Sequence, residues 1–280
     1  MAVVSFWSKG KKETGQTSAV IAVATHMAIE HNYKILVIST SVKEDTMGNA
    51  FWDKERKKRN LGLFGPNTNA VMQNGIEGLN RIVRSNKVSP DIITNYARTV
   101  FKDRLEVLLS YRGEEQVYKE IRSSYPAIIE LAKKYYDLVI VDIDYNVGED
   151  VEKEILHNSD VIVVTMPQRF SSIDQYKEAK KNNQMLQSPK TLLLVGRYDK
   201  FSKYNAKNIT RYLKEKNEVN TIPYNTLFFE ACEEASVTDL FLRLRRISDE
   251  TDRNVLFLKE VKRLSDNILY RIQDIQMRKQ

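Results

Sequence analysis

One cysteine among 280 residues, Cys232, excludes an intrachain disulfide and a cysteine-based zinc site. The three histidines, His26, His31 and His157, are scattered and show no metal-ligand spacing. No apolar run approaches the roughly 20 residues that span a bilayer. The start of the chain has a short apolar stretch with no small-residue cleavage site after it, so no signal peptide is read there and a cytoplasmic location is expected. Internal repeats, low-complexity tracts and a clean linker are also missing, which favours one domain with a C-terminal extension over two separate units. What is present is ordinary for a globular chain: 42% hydrophobic and 29% charged residues, with a formal charge of +7 that favours acidic partners without specifying a fold.

Residues 10–17 read GKKETGQT and meet the phosphate-loop template GxxxxGK[ST] at every defined position but one: Gln16 stands where the phosphate-binding lysine belongs. Gly10 and Gly15 keep the spacing, Thr17 sits where a magnesium-binding hydroxyl would be, and Lys11 adds a lysine directly after the first glycine. The flanks agree with the template. Ala2 to Trp7 is a short β-prone run, and the small-residue-rich segment from Thr17 to Ala28 reads as a helix. A helix starting there aims free backbone N–H groups and its positive dipole end at an anion. The bland alternative is a surface turn without a ligand. Because the histidines form no site, a metal would be magnesium brought by a nucleotide.

Apolar β-rich runs recur at 34–39, 105–109, 137–142, 160–165 and 191–195, with a weaker one at 219–222. Helices are expected at 16–31, 68–84, 115–135, 171–186, 204–216 and 226–246. Continuous apolar strands alternating with helices predict an α/β fold, a doubly wound and mostly parallel sheet, with ligands at the carboxyl ends of the strands. Between about 62 and 101 strand signals fade and Gly65-Pro66-Asn67 and Ser89-Pro90 appear, which predicts a helical insertion. The main domain is expected over 1–248 and a helical extension over 249–280. In that extension Val255, Leu258, Val261, Leu264, Ile268, Ile272 and Ile275 form one apolar stripe, suited to packing on the domain or pairing with another helix. Basic residues beside it leave open a contact with an anionic membrane surface, peripheral at its inner face. The block Lys54 to Arg59 reads either as a solvated helix end or as a contact for DNA or membrane.

GKKETGQTS after its strand, Tyr136 to Asp142, Val161 to Pro167 followed by Ser171 to Asp174, Ile222-Pro223-Tyr224 and Glu230-Ala231 together resemble the deviant-Walker P-loop ATPases of the MinD/ParA type, over roughly 1–245. Leu194 to Asp199, Tyr204 and Ile222 to Tyr224 most resemble the CpaE/TadZ branch, which positions Tad-type pilus and secretion machinery. The resemblance implies ATP and magnesium as cofactors, a homodimer, and protein partners in a pilus, secretion or positioning apparatus. It makes Lys11 the signature lysine that crosses to the partner's nucleotide and Asp142 the Walker B acid; these are the expected catalytic residues. Thr17 and Asp142 become the magnesium site, and Gly10, Lys11, Gly15, Gln16, Thr17, Ser18, Arg197 and Pro223 the cofactor-binding positions.

Departures from that pattern gather around one pocket. Gln16 replaces a charge with a neutral amide, and charge-assisted bonds are about twice as strong as neutral ones. Lys12 and Glu13 stand where relatives have glycines, and Ser39-Thr40-Ser41 replaces an aspartate-x-aspartate motif. The adenine-reading asparagine of relatives falls at Gly196. The expected function is therefore a degenerate member that localises or scaffolds a larger assembly, with ATP hydrolysis very slow or absent. The alternative is an active ATPase whose ATP-dependent dimer binds DNA or membrane.

Overall fold

The computed structural model describes residues 1–9, 13–42, 46–52, 75–84, 89–247, 249 and 251–278. Its sheet contains β1 (Ala2–Trp7), β2 (Ile35–Ser39), β3 (Arg98–Phe101), β4 (Leu105–Leu108), β5 (Leu138–Asp142), β6 (Val161–Pro167), β7 (Thr191–Tyr198) and β8 (Asn220–Pro223). They lie in the order β3-β4-β2-β5-β1-β6-β7-β8, and every pairing is parallel except β3 with β4. Each central strand is buried along its whole length, which is why it reads as a continuous apolar run without alternation. The alternation is present in which face each residue covers. Val4 and Phe6 of β1 enter one core and Val3 and Trp7 the other.

The first core lies under α1 (Gln16–Glu30), α2 (Thr46–Phe51), α10 (Thr226–Glu233), α11 (Val237–Leu244) and α12 (Arg253–Arg278). The second lies under α3 (Ile76–Val83), α4 (Glu115–Arg122), α5 (Tyr125–Lys133), α6 (Glu149–Asn158), α7 (Phe170–Asn182), α8 (Gln184–Gln187) and α9 (Ala206–Leu213). Helix α1 is buried on nearly every side, between the sheet and α12. Small residues such as Ala19, Ala22 and Ala24 allow that close approach, and an all-round apolar helix is a buried one.

Several expected elements are redrawn. The helix expected over 115–135 is two, because Pro126 is tolerated only in the first turn of α5 and so marks a new start. The stretch 226–246 is divided where Ala235 takes φ 57°, which ends α10. The stretch 171–186 breaks at Asn183, whose side chain accepts from the Met185 N–H and caps α8. The region expected as a helical insertion holds α3 and a 3-10 helix (Pro90–Asn95), but also the antiparallel strand β3; residues 53–74, with the turn at Gly65-Pro66-Asn67, lie outside the described residues. Three half-exposed residues and the exposed Thr99 leave β3 little apolar signal. Helix α6 was missed, although Glu149, Asp150 and Glu152 in its first turn suit the positive end of the dipole.

The C-terminal stripe packs on the chain's own domain. Phe257, Val261, Leu264, Ile268 and Ile272 are buried in the first core, Val255 is buried as well, and α12 lies against α1 and β8. Phe257 is fully buried with its ring 4.9 Å from that of Phe228 and 6.1 Å from that of Phe241. Polar bonds fasten the same helix to the sheet edge: Asn267 Nδ2 donates to Asn220 Oδ1 at 2.6 Å and Arg263 to the Val219 carbonyl at 2.9 Å. The stripe is therefore not a free face, which removes the apolar half of the membrane-surface reading. Among the described residues no helix is long and apolar enough to cross a membrane. Cys232 is buried in α10, and burial pushes its thiol up to about 12, so it is a packing residue.

His26 lies at the α1–α12 seam, 5% exposed. Burial lowers its pKa from the ordinary 6.5; Glu30 raises it, His31 lowers it, and across the seam Asp266 raises and Lys262 lowers it. A depressed imidazole pKa means the unfolded chain binds more protons, so stability holds above 6.5 and is lost as pH falls below it. The urea midpoint is expected to drop between about pH 7.5 and about pH 5.5, and His26→Gln is expected to flatten that drop. An unchanged drop in the variant would contradict the assignment.

Candidate functional site

The carboxyl ends of β1 and β5 and the start of α1 converge on a cavity of about 340 Å³. Its lining includes Ser8, Thr14, Gly15, Gln16, Thr17, Ser18, Ser41, Asp142, Asp144 and Arg197. Gly15 takes φ 78° just before α1, a left-handed turn that glycine adopts without strain, and its carbonyl accepts the Ala19 N–H at 2.9 Å. The first N–H groups of α1 have no acceptor within the helix, the arrangement that makes such a loop an anion cradle.

Two described side chains of this cradle, Gln16 and Thr17, turn into the protein. Gln16, 8% exposed, donates both hydrogens of Nε2 toward β5: one to Asp142 Oδ1 at 2.7 Å, the other to the Ile143 carbonyl at 2.8 Å. Both partners are acceptors, so the amide orientation is dictated by chemistry. Its Oε1, buried, has no partner among the described residues. Thr17 Oγ1 donates to Asp142 Oδ2 at 2.7 Å. Each carboxylate oxygen of Asp142 thus takes a side-chain donor from α1, and the Asp142 carbonyl accepts from Thr40 N and Thr40 Oγ1, both at 3.1 Å. Charge on the lining also disfavours a polyphosphate. Among its described residues Glu13, Asp142 and Asp144 face one cation, Arg197. Glu13 Oε2 is held by Arg169 Nη2 at 3.0 Å.

Gly196 is explained by space. A Cβ there would lie 2.1 Å from the Thr14 carbonyl oxygen and 3.4 Å from the Gly15 Cα, because β7 passes directly under the loop. No side chain, an asparagine included, fits at 196 with the loop in this position. Arg197 follows at φ 49° and lines the cavity from the exposed side. Gly196→Ala is expected to lower stability by about 1–3 kcal/mol through overpacking, read as a shift in the urea midpoint. A neutral result would show that the loop moves freely off β7.

The structure thus brings together Gly15, Gln16, Thr17, Ser18, Asp142 and Arg197 on one cavity. Pro223 lies at the end of β8, paired with Tyr198, outside that lining. Gly10, Lys11 and Lys12 lie outside the described residues, as does the basic block Lys54 to Arg59. Ser41, the departure in the strand-two motif, reaches the cavity and shares a 3.0 Å bond with Ser39. Asp144, Thr46 and Tyr145 also line it and were not singled out from sequence. Asp144 could have been found, since it follows two residues after the acid that ends β5.

A parallel doubly wound sheet whose first strand runs through a glycine loop into a buried helix, with an acid ending the neighbouring strand at the loop, defines a MinD/ParA-like P-loop fold. Solved structures agree. The chain is similar to a ParA family ATPase from Chlorobium tepidum TLS, with TM-score 0.66 and 13% identity over 94% of this chain and 98% of that one. It is similar to the Pyrococcus furiosus cell division ATPase MinD, with TM-score 0.64 and 14% identity over 95% and 99%. A putative plasmid partition protein from Borrelia burgdorferi, bound to AMPPNP, aligns with TM-score 0.58 and 16% identity over 100% and 99%. No protein-family model and no curated protein sequence matches the chain. Identities this low carry the fold alone.

Magnesium and a nucleoside triphosphate do not fit the described pocket as it stands. The acid that would hold the metal is engaged at both oxygens, the residue at the phosphate-lysine position donates into the protein, and the charged residues of the described lining are Glu13, Asp142 and Asp144 against Arg197.

Proposed function

We propose that this chain is a degenerate MinD/ParA-like P-loop protein that localises or scaffolds a larger assembly, with ATP hydrolysis weak or absent. One observation carries the reading: the Gln16 amide bridges Asp142 and the Ile143 carbonyl across the base of the loop. Hydrogen bonds to a charged group contribute about 1.5–3 kcal/mol, so the bridge ties β5 to α1 without a ligand. In phosphoryl transfer, catalysis rests on positioning and charge neutralisation, and the described lining sets a single cation, Arg197, against Glu13, Asp142 and Asp144. The loop holds the fold and the face around it, and that face is the proposed dimer surface. The CpaE/TadZ-like residues Leu194 to Asp199 and Ile222 to Tyr224 make a Tad-type pilus or secretion apparatus the assembly to test.

Titration of the full chain with magnesium and AMPPNP, followed by calorimetry and by sizing, tests the proposal. Little or no heat and an oligomeric state independent of nucleotide are expected. Micromolar binding with a shift from monomer to dimer would overturn it in favour of an ATP-switched dimer.

A further inference from the structure

We propose that the carboxyl ends of β6 and β7 carry a binding surface for single-stranded nucleic acid, built from aromatic rings interleaved with lysines. The surface uses no residue lining the phosphate-loop cavity, so it stands independently of the reading above. Its centre is the loop after β7. Phe201 at the loop tip is 86% exposed, and Phe170, at the start of α7, is 47% exposed. The Phe170 ring stacks on Tyr204 with centroids 5.8 Å apart at 26° and meets Tyr212 at 5.5 Å.

The rings are held in place. Gln168 Nε2 donates to the Asp199 and Tyr204 carbonyls at 2.9 and 2.8 Å, and its Oε1 accepts the Asp199 N–H at 2.8 Å. The Phe201 N–H donates to Asp199 Oδ1 at 2.9 Å and the Tyr204 N–H to Ser202 Oγ at 3.2 Å. A loop fastened this way presents an apolar ring to water by construction, and little ordering remains to oppose binding.

Cations stand over the same rings. Lys177 Nζ lies 3.8 Å from the Tyr212 centroid, Lys200 Nζ 5.1 Å from that of Phe201 and Lys203 Nζ 5.1 Å from that of Tyr204. Basic side chains that follow a backbone, alternating with rings on which bases stack, are how single strands are bound without sequence preference. A duplex satisfies the lysines but keeps its bases stacked on each other, away from the rings. An acidic peptide satisfies the lysines and offers the ring faces no flat partner. The single strand matches both halves of the surface.

The test is anisotropy of a labelled oligo(dT) of about twenty nucleotides with the full chain across a salt series. Phe201→Ala is expected to weaken binding about tenfold while leaving the slope of log affinity against log salt unchanged. Lys200→Ala with Lys203→Ala is expected to make that slope shallower by about 1.4, and Phe201→Trp to keep the affinity. Phe201 is too exposed for its truncation to disturb packing, and an unchanged melting curve accompanies the loss. No binding at low salt overturns the proposal, as does equal affinity for a duplex of the same length. Indifference to Phe201→Ala, or displacement by poly-glutamate at equal charge, which would assign an acidic peptide, overturns it too.

Discussion

Gln16→Lys should raise affinity for magnesium with AMPPNP about tenfold or more, measured by calorimetry on the full chain. With no ligand, an ammonium at position 16 can reach the same two acceptors that the amide now holds, Asp142 Oδ1 and the Ile143 carbonyl. With a phosphate present it supplies a full charge where the native chain offers only an acceptor, Gln16 Oε1. A charge-assisted bond is worth about 1.5–3 kcal/mol, which is the source of the expected gain. Gln16→Met separates the two roles of the position. It keeps the volume but leaves both acceptors without their donors, so it should cost about 2–4 kcal/mol of stability and improve nothing in binding. No gain from Gln16→Lys would point to the acids Glu13, Asp142 and Asp144 on the lining, rather than to the missing charge, as what opposes a nucleotide there. An unchanged urea midpoint for Gln16→Met would show that the amide bridge contributes nothing to the fold.

Phe257→Ala is expected to destabilise the chain by about 3–5 kcal/mol, the largest stability loss foreseen here. The ring is completely buried and packs against Phe228 and Phe241, so its removal leaves a cavity between α12, α10 and α11 that rigid neighbours cannot close. Thermal unfolding should shift down by about 10 °C, in one transition that includes the helical signal of α12. A separate early transition, with the rest of the chain melting as before, would show that α12 is an appendage. Tyr270, 66% exposed on the same helix, supplies the control, and Tyr270→Ala should stay within about 0.5 kcal/mol of the native chain.

Most of the sheet was legible because burial on both faces writes a strand as a continuous apolar run. Ile35 to Ser39, Leu138 to Asp142 and Val161 to Pro167 are such runs, and their alternation with helices predicted the parallel doubly wound fold. The phosphate loop was legible for a local reason: Gly15, Gln16 and Thr17 are consecutive, and Gly15 with φ 78° makes the turn into α1. The strand β3 was not, since its pairing depends on the neighbouring β4 rather than on apolar content of its own. Helix breaks at Asn183 and Ala235 were missed because a single cap or a single left-handed alanine leaves a faint mark on periodicity.

Residue types and spacing by themselves determined that this chain has a P-loop architecture, that position 16 carries no charge, and that the C-terminal segment has one apolar side. Tertiary structure alone decided what those features do. Gln16 meets Asp142 across 126 positions of sequence, a distance no local pattern spans. Gly196 is required by the Thr14 carbonyl lying against it, which only the passage of β7 beneath the loop creates. The stripe on α12 is covered because α1 and β8 offer it a complementary face. An amphipathic pattern states that a surface will be buried, and only the packed neighbours determine against what.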